Sequence, residues 1–278
     1  MRRLLTAAVA VPLALLATFW LPSYAFFIFL LLIFGACSFE YVQLLKPHAP
    51  NAPLWVVPLG VPPTAAAFFW ALSPARHATA GDSLAAWVLA GGLLATVGLG
   101  TLLLFGRTPS PEVPAALGIV ALGVPYFALP VAVAAVMQRL DPWLLFLLYS
   151  IVWLGDSAAY YCGSAWGRHK MAPVVSPNKS WEGAVAGFIT GIVATLVWSY
   201  FRLGEIRLPL LLVAAATAVA AQLGDLFESL LKRGVNVKDS GQGLPGHGGF
   251  FDRMDAMLFA GPVMLGGLWL IAHHGLGP

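Results

Sequence analysis

The chain has 278 residues, of which 59% are hydrophobic and 10% are charged, and its mean hydropathy is +0.83. Soluble domains carry about 25% charged residues, so these values exclude an ordinary soluble globule, and the apolar content excludes a disordered or collagen-like chain. The net charge of +3 comes from only 15 lysines and arginines, most of them between apolar runs. This balance indicates orientation in a membrane, with no nucleic-acid partner.

Apolar runs long enough to cross a bilayer, which takes about 20 residues each, recur along the whole chain. We therefore expect an all-α, polytopic integral membrane protein with about nine transmembrane helices. We treat 1–278 as one transmembrane domain, with scaffold helices in 1–140 and a catalytic half in 141–273. The first run could be a secretory signal, but it exceeds the ~7–15 apolar residues of a signal, which favours a helix. The runs are 4–20, 25–44, 54–72, 84–105, 114–137, 143–163, 183–201, 208–231 and 256–273.

The basic residues segregate between alternate loops. With nine crossings and a cytoplasmic amino terminus, eleven basic residues face the cytoplasm and four face outside, which agrees with the positive-inside rule. The cytoplasmic set is Arg2, Arg3, Lys46, Arg107, Arg168, Lys170, Lys179, Lys232, Arg233, Lys238 and Arg253, and the outer set is Arg76, Arg139, Arg202 and Arg207.

Charged residues are concentrated in the carboxy-terminal part. Residues 1–150 hold 10 of the 27 charged side chains, whereas residues 225–255 alone hold nine. In the first half, Glu40 stands near the end of the second run, where an acid usually has a partner or a task because burying its charge is costly. We keep Glu40 as a candidate of undefined role.

The eighth run carries a polar stripe near its end. Asp225, Glu228, Ser229 and Lys232 are spaced so that they share one helix face. An interfacial helix end with internal ion pairs would explain part of this pattern. Asp225 lies about two turns inside the basic pair Lys232-Arg233, and this depth favours a functional carboxylate.

A glycine-rich segment joins this stripe to the ninth run. Five glycines in 241–249 let backbone N–H groups turn toward an anion. The segment matches GxGxxG, but an apolar helix precedes it, so a dinucleotide-binding fold is excluded. Asp252 and Asp255, three residues apart at a helix start, favour with Asp225 a hard divalent cation. His247 stands alone among glycines, which argues against zinc and for a role in the loop.

A third polar island precedes the seventh run. Ser176 and Pro177 predict the N-cap and first residue of the seventh helix, which would place Lys179 and Glu182 on one face. Glycines at spacing four follow and predict a close-packing helix face, which also permits a homodimer. They are Gly183, Gly187 and Gly191.

Over residues 150–260 the chain resembles the bacterial phosphatidate cytidylyltransferases, the CDP-diacylglycerol synthase family. The segments that carry the resemblance are 176–183, 222–225, 228–233, 238–239, 244–249 and 252–255. The first half is similar only in hydropathy.

The resemblance implies transfer of the cytidylyl group of CTP to phosphatidic acid, with Mg²⁺ as cofactor, in phospholipid biosynthesis. It implies a bacterial inner-membrane location, and the distribution of basic residues independently predicts that the site is on the cytoplasmic side. It implies metal binding by Asp225, Asp252 and Asp255, and catalytic roles for Asp225, Asp252, Lys232, Asp239 and His247. Substrate contacts are implied for Lys179, Glu228, Ser229, Arg233, Lys238 and Arg253, and Asp156 would shape the site.

Three other functions remain open from the residues alone. A transporter could relay protons through Asp225, Glu228, Lys232 and Glu40, but it predicts an internal repeat that the sequence lacks. A different CTP-dependent lipid transferase or kinase would share the nucleotide. A structural membrane subunit would tolerate replacement of Asp225.

Overall fold

A computed structural model of the chain describes residues 2–73, 112–241, 243 and 248–273, with side chains from residue 8 onward. The predicted run 84–105 lies outside the described residues. So do Arg76, Arg107, His247 and His274. We number the described elements in chain order.

The described residues are almost entirely helical. A 3₁₀ turn, Lys46–His48, extends α2, and a π-helical turn, Ser150–Leu154, joins α5 to α6. The helices are α1 Arg2–Trp20, α2 Ser23–Leu45, α3 Val56–Leu72, α4 Glu112–Leu140, α5 Pro142–Tyr149, α6 Gly155–Trp166, α7 Trp181–Leu203, α8 Leu208–Gly234 and α9 Phe251–His273. The strands are β1 Lys170–Ala172 and β2 Ser176–Ser180.

Six of these helical stretches are long and apolar enough to span a membrane. Two shorter apolar helices, Ala8–Trp20 and Val56–Leu72, fall within the first and third predicted runs. Each of the eight predicted runs in the described part of the chain therefore coincides with a helix. The fold is that of an all-α polytopic membrane protein, as predicted, and the count of nine stays a prediction. The stretches are Ser23–His48, Glu112–Leu140, Pro142–Trp166, Trp181–Leu203, Leu208–Gly234 and Phe251–His273.

The chain forms two compact units. The first comprises Met1–Arg139 with Val235–Met254, and the second comprises Leu140–Gly234 with Asp255–Pro278. The break after Arg139 falls next to the predicted boundary between scaffold and catalytic halves. The glycine-rich segment, however, belongs to the first unit.

The core of the first unit is aromatic. The rings of Tyr41, Phe127 and Phe251 meet edge to face, with centroids 5.4 to 6.2 Å apart, and all three side chains are fully buried. Such arrangements are the favoured geometry of aromatic pairs. The hydroxyl of Tyr41 donates to the carbonyl of Ile119 at 3.2 Å, so its polar end is satisfied.

In the second unit, α6 and α7 approach backbone to backbone. A Cβ added to Gly187 would lie 2.8 Å from the carbonyl oxygen of Gly155, and one added to Gly183 would lie 2.6 Å from that of Ala159. A Cβ added to Gly191 would lie 3.2 Å from a side-chain methyl group of Ile151, in the turn that precedes α6. The predicted close-packing face is confirmed, and it is used between helices of one unit.

The predicted start of the seventh helix was wrong. Ser176 and Pro177 begin strand β2, which pairs antiparallel with β1 through Lys170–Ser180 and Ala172–Ser176. The helix begins at Trp181, and its cap is Ser180, whose hydroxyl accepts from the N–H of Gly183 at 3.2 Å. Both serines are good caps, and pairing with β1 keeps 176–180 extended, so the later serine caps the helix.

Candidate active site

The second unit carries four acids on three helices, and Asp255 lies within electrostatic range of the other three. Asp156 is on α6, Asp225 and Glu228 are on α8, and Asp255 is on α9. The Asp225 carboxylate repels those of Asp156 and Asp255, and Asp255 is also repelled by Glu228. We call these residues, with Lys179 and Lys232, the acid–lysine cluster.

Lys179 compensates the central acid of this cluster. Its Nζ lies 2.6 Å from Oδ2 of Asp225, and the two side chains are 24% and 35% exposed. Lys179 is on strand β2 and not on the seventh helix, so the predicted shared face with Glu182 was wrong. The hairpin instead places Lys179 against α8, where its positive charge stabilises the carboxylate of Asp225. The pair is accessible enough for an anionic ligand to reach it.

Glu228 and Lys232 form a second pair one turn apart on α8. Nζ of Lys232 donates to Oε2 of Glu228 at 2.7 Å, and the side chains are 12% and 1% exposed. Ser229 donates to Oδ1 of Asp225 at 3.4 Å. The predicted polar face of α8 is therefore confirmed, and it carries two hydrogen-bonded pairs.

Close packing of α8 on α9 places Asp225 beside Asp255. A Cβ added to Gly224 would lie 2.5 Å from the backbone carbonyl oxygen of Asp255, so only glycine permits this approach. Oδ1 of Asp255 accepts from the N–H of Ala256 at 2.8 Å. The position of Asp255 is thus set by backbone contact between the two helices.

The cluster offers oxygen donors of the kind that Mg²⁺ prefers, because every acidic member is a carboxylate. Within the described ranges, no group of three or more His, Cys, Asp or Glu side chains has the spacing of a metal site. A cation bound at Asp225 would share this carboxylate with Lys179, whose Nζ lies 2.6 Å from Oδ2. The donor chemistry fits Mg²⁺, and the predicted metal role of these acids stays a prediction.

In the first unit, Asp252 organises the glycine-rich segment. Its Oδ2 accepts from the N–H of Gly249 at 2.8 Å and from the N–H of Ser240 at 3.0 Å, and the Ser240 hydroxyl lies 3.0 Å away. Gly248 has φ +79°, and a Cβ there would lie 2.7 Å from the same oxygen. Asp252 thus ties both ends of the segment to the start of α9.

Glu40 lies on the other side of the same segment. Its Oε2 accepts from the N–H of Phe251 at 2.9 Å and lies 3.4 Å from the Ser240 hydroxyl. Cβ atoms added to Gly241 and Gly243 would lie 2.7 and 2.8 Å from its Oε1. The anion that these glycines approach is a carboxylate of the chain itself.

The remaining predicted residues that the structure describes lie at the surface. Arg233 donates from Nε to the carbonyl of Val175 at 3.2 Å, which joins α8 to the hairpin. Lys238, Asp239 and Arg253 are exposed in the first unit. His247 lies outside the described residues, so its predicted role stays a prediction.

Sequence reasoning missed three features, namely two side-chain contacts and one irregular helical turn. His169 Nδ1 lies 2.7 Å from Glu182, which anchors the hairpin to α7. Ser240 links Asp252 with Glu40, although nothing in its neighbourhood marked it. The π-helical turn directly precedes Gly155 and Asp156, at a position where such turns often serve a functional site.

Comparison with known proteins gives a family for most of the chain. The model of the cytidylyltransferase family matches residues 1–270. The phosphatidate cytidylyltransferase of Haemophilus influenzae is 43% identical over 124 residues, which cover 43% of each chain. That of Staphylococcus saprophyticus is 46% identical over 117 residues, covering 42% of this chain and 45% of the relative. That of Staphylococcus aureus is 44% identical over 122 residues, covering 43% and 47%. The matches span less than half the length of these relatives.

Proposed function

This chain belongs to the cytidylyltransferase family, and on that premise we propose that it transfers the cytidylyl group of CTP to phosphatidic acid. The products are CDP-diacylglycerol and pyrophosphate. The family match over residues 1–270 carries the proposal. The activity named for the relatives from Haemophilus influenzae and Staphylococcus aureus supports the lipid substrate.

The chemistry joins two polyanions. An oxygen of the lipid phosphate attacks the α-phosphorus of CTP, a new P–O bond forms, and the bond to pyrophosphate breaks. Repulsion between the reactants must be offset by positive charge, which the chain can supply without a covalent nucleophile. Lys179, partly exposed beside Asp225, is the best-placed cation of the second unit. Exposed Arg233, Lys238 and Arg253 are further candidates for phosphate contacts.

For the cofactor we propose Mg²⁺, held by Asp225 and Asp255. When bound, the ion supplies positive charge to phosphate oxygens. For Asp252, whose Oδ2 is engaged by the glycine-rich segment, a metal role rests on the family resemblance alone. Asp156 lies in electrostatic range of both Asp225 and Lys179, which supports the role in shaping the site that the resemblance implies for it.

We place the reaction at the cytoplasmic side of the inner membrane, with the amino terminus in the cytoplasm. The uneven distribution of basic residues supports this orientation. The same side holds CTP in the cell. A homodimer has no support from the glycine face of α7, because that face packs on α6.

The test is an assay of the purified chain in detergent with CTP, phosphatidic acid and Mg²⁺. We expect equal amounts of CDP-diacylglycerol and pyrophosphate, and no product after chelation of the metal. Release of CDP in place of pyrophosphate would indicate phosphoryl transfer and would contradict the proposal. A folded protein that forms neither product from several lipids would contradict it as well.

A further inference from the structure

We propose that Glu40 is a positioning residue that fixes the glycine-rich segment and the start of α9 for the reaction. The inference rests on the proposed function for its catalytic consequence. The contacts that carry it all lie within the first unit. They concern Glu40, Ser240, the described glycines of 241–249, Phe251 and Asp252.

Glu40 is buried next to the aromatic core of the first unit. The side chain is 9% exposed, and its neighbour Tyr41 is fully buried. A carboxylate in such a place is costly unless hydrogen-bond donors compensate its charge. Phe251 is the first residue of α9, so its N–H carries part of the positive end of the helix dipole. Glu40 thus caps α9 from a distant helix.

The second observation is the fit of the glycines around this carboxylate. A Cβ on Gly241 or Gly243 would lie within 2.8 Å of Oε1, and one on Gly249 would collide with Oε2. Three glycines therefore make room for one side chain. The glycines predicted an anion-binding loop, and the anion that they approach is the carboxylate of Glu40 on α2.

The third observation is the sharing of Ser240 between two acids. Its hydroxyl lies 3.0 Å from Asp252 Oδ2 and 3.4 Å from Glu40 Oε2. One hydroxyl proton can serve only one of these oxygens at a time, so the two carboxylates are coupled through Ser240. Displacement of Glu40 would therefore change how Asp252 is held. Exposed Lys238 and Asp239 precede Ser240 directly and would move with it.

The test compares Glu40→Gln with Tyr41→Phe as the matched control. Tyr41→Phe removes a buried hydrogen bond to Ile119 from the same helix and leaves the ring contact with Phe251. We expect Glu40→Gln to lower kcat by about 10- to 100-fold, because small misplacements of reacting groups have effects of this size. We expect the KM for CTP to change little, since a positioning residue acts on the reaction step. Tyr41→Phe should keep near-normal kcat.

Two further readouts separate positioning from loss of stability. Tryptic cleavage after Lys238 should be several-fold faster in Glu40→Gln than in the wild type or Tyr41→Phe. In a double-mutant cycle on kcat, Glu40→Gln with Ser240→Ala should be less harmful than the product of the single effects, because both act through one network. Tyr41→Phe with Ser240→Ala should combine independently.

Each outcome decides a different claim. If the wild type is active and Glu40→Gln has the same kcat and the same rate of tryptic cleavage as the wild type, the proposed role of Glu40 is overturned. If the wild type is inactive, the proposed function is overturned. Cleavage of Glu40→Gln at the wild-type rate would, in that case, also overturn the claim that Glu40 holds the glycine-rich segment. If Glu40→Gln does not purify as a monodisperse protein, Ser240→Ala alone should show the lower kcat and faster cleavage. Normal values in that variant would overturn the proposal.

Discussion

Lys179 and Asp225 form a partly exposed ion pair of the second unit, with Nζ and Oδ2 2.6 Å apart. The neighbouring pair of Lys232 and Glu228 has similar spacing but is much less exposed. Exposure decides how each pair can be used. The greater exposure of Lys179 favours the phosphate contact that we propose for it, whereas Lys232 offsets the buried charge of Glu228 and its predicted catalytic role stays a prediction.

Replacing Asp225 with Asn should abolish turnover while the protein still inserts and folds. The substitution keeps size and removes the charge, so we expect a loss of kcat on the order of 100-fold or more. Asp141→Asn is the matched control, because Asp141 pairs with Arg202 at 3.3 Å in the same unit and caps α5, which Asn also does. Initial-rate assays of both variants measure the difference. Retained turnover in Asp225→Asn would remove this carboxylate from the mechanism.

Replacing Lys232 with Met should lower the stability of the folded protein. It removes the ammonium 2.7 Å from a carboxylate that is 1% exposed, and breaking such a buried pair costs about 3 kcal/mol or more. Adding Glu228→Gln to Lys232→Met should recover much of the loss, because the buried charge is then gone. Thermal unfolding in detergent measures both. A double variant no more stable than Lys232→Met would show that the pair does not account for the effect.

At the scale of elements, the glycines of α6 and α7 determine how closely these helices pack. A Cβ added to Gly155 would lie 3.3 Å from the carbonyl oxygen of Gly187, and one added to Gly187 would lie 2.8 Å from that of Gly155. Small residues at helix contacts allow this approach in membranes, where packing and not the hydrophobic effect drives association. The hairpin that delivers Lys179 precedes α7 directly, so the helix contact also bears on the acid–lysine cluster.

Gly187→Ala should therefore lower the thermal midpoint, because its Cβ would lie 2.8 Å from the carbonyl oxygen of Gly155. Gly266→Ala is the matched control on α9, where a Cβ would meet nothing within 4 Å. Alanine is favoured over glycine in a helix by roughly 0.5–1 kcal/mol, so the control should be neutral or slightly stabilised. Thermal unfolding of the two variants side by side checks this. Equal midpoints would contradict the packing role of Gly187.

Local patterns predicted the helices and the polar face of α8, because hydropathy and helical spacing act between near neighbours. They did not predict the contact between Glu40 and Ser240, which are 200 residues apart. The choice between Ser176 and Ser180 as the cap was also undetermined locally, since pairing with β1 decided it. Long-range contacts of this kind leave no periodic signal in one sequence.

At the scale of the whole molecule, the length of α8 predicts on which side of the membrane its two flanking segments lie. The helix has 27 residues, about 40 Å at 1.5 Å per residue, which is enough to cross the hydrocarbon core. We therefore expect the loop before it, 204–207, and Lys238 after it to lie on opposite sides of the membrane. The surplus of basic residues predicts that Lys238 faces the cytoplasm.

Substituted-cysteine labelling of oriented membranes tests this arrangement. In a background with Cys37 and Cys162 replaced by alanine, Lys238→Cys should react with an impermeant maleimide only in inside-out vesicles. Glu205→Cys, in the loop before α8, is the matched control and should react only in right-side-out vesicles. The reversed pattern would contradict the cytoplasmic orientation while keeping the crossing by α8. Labelling of both cysteines from one side would contradict the crossing itself.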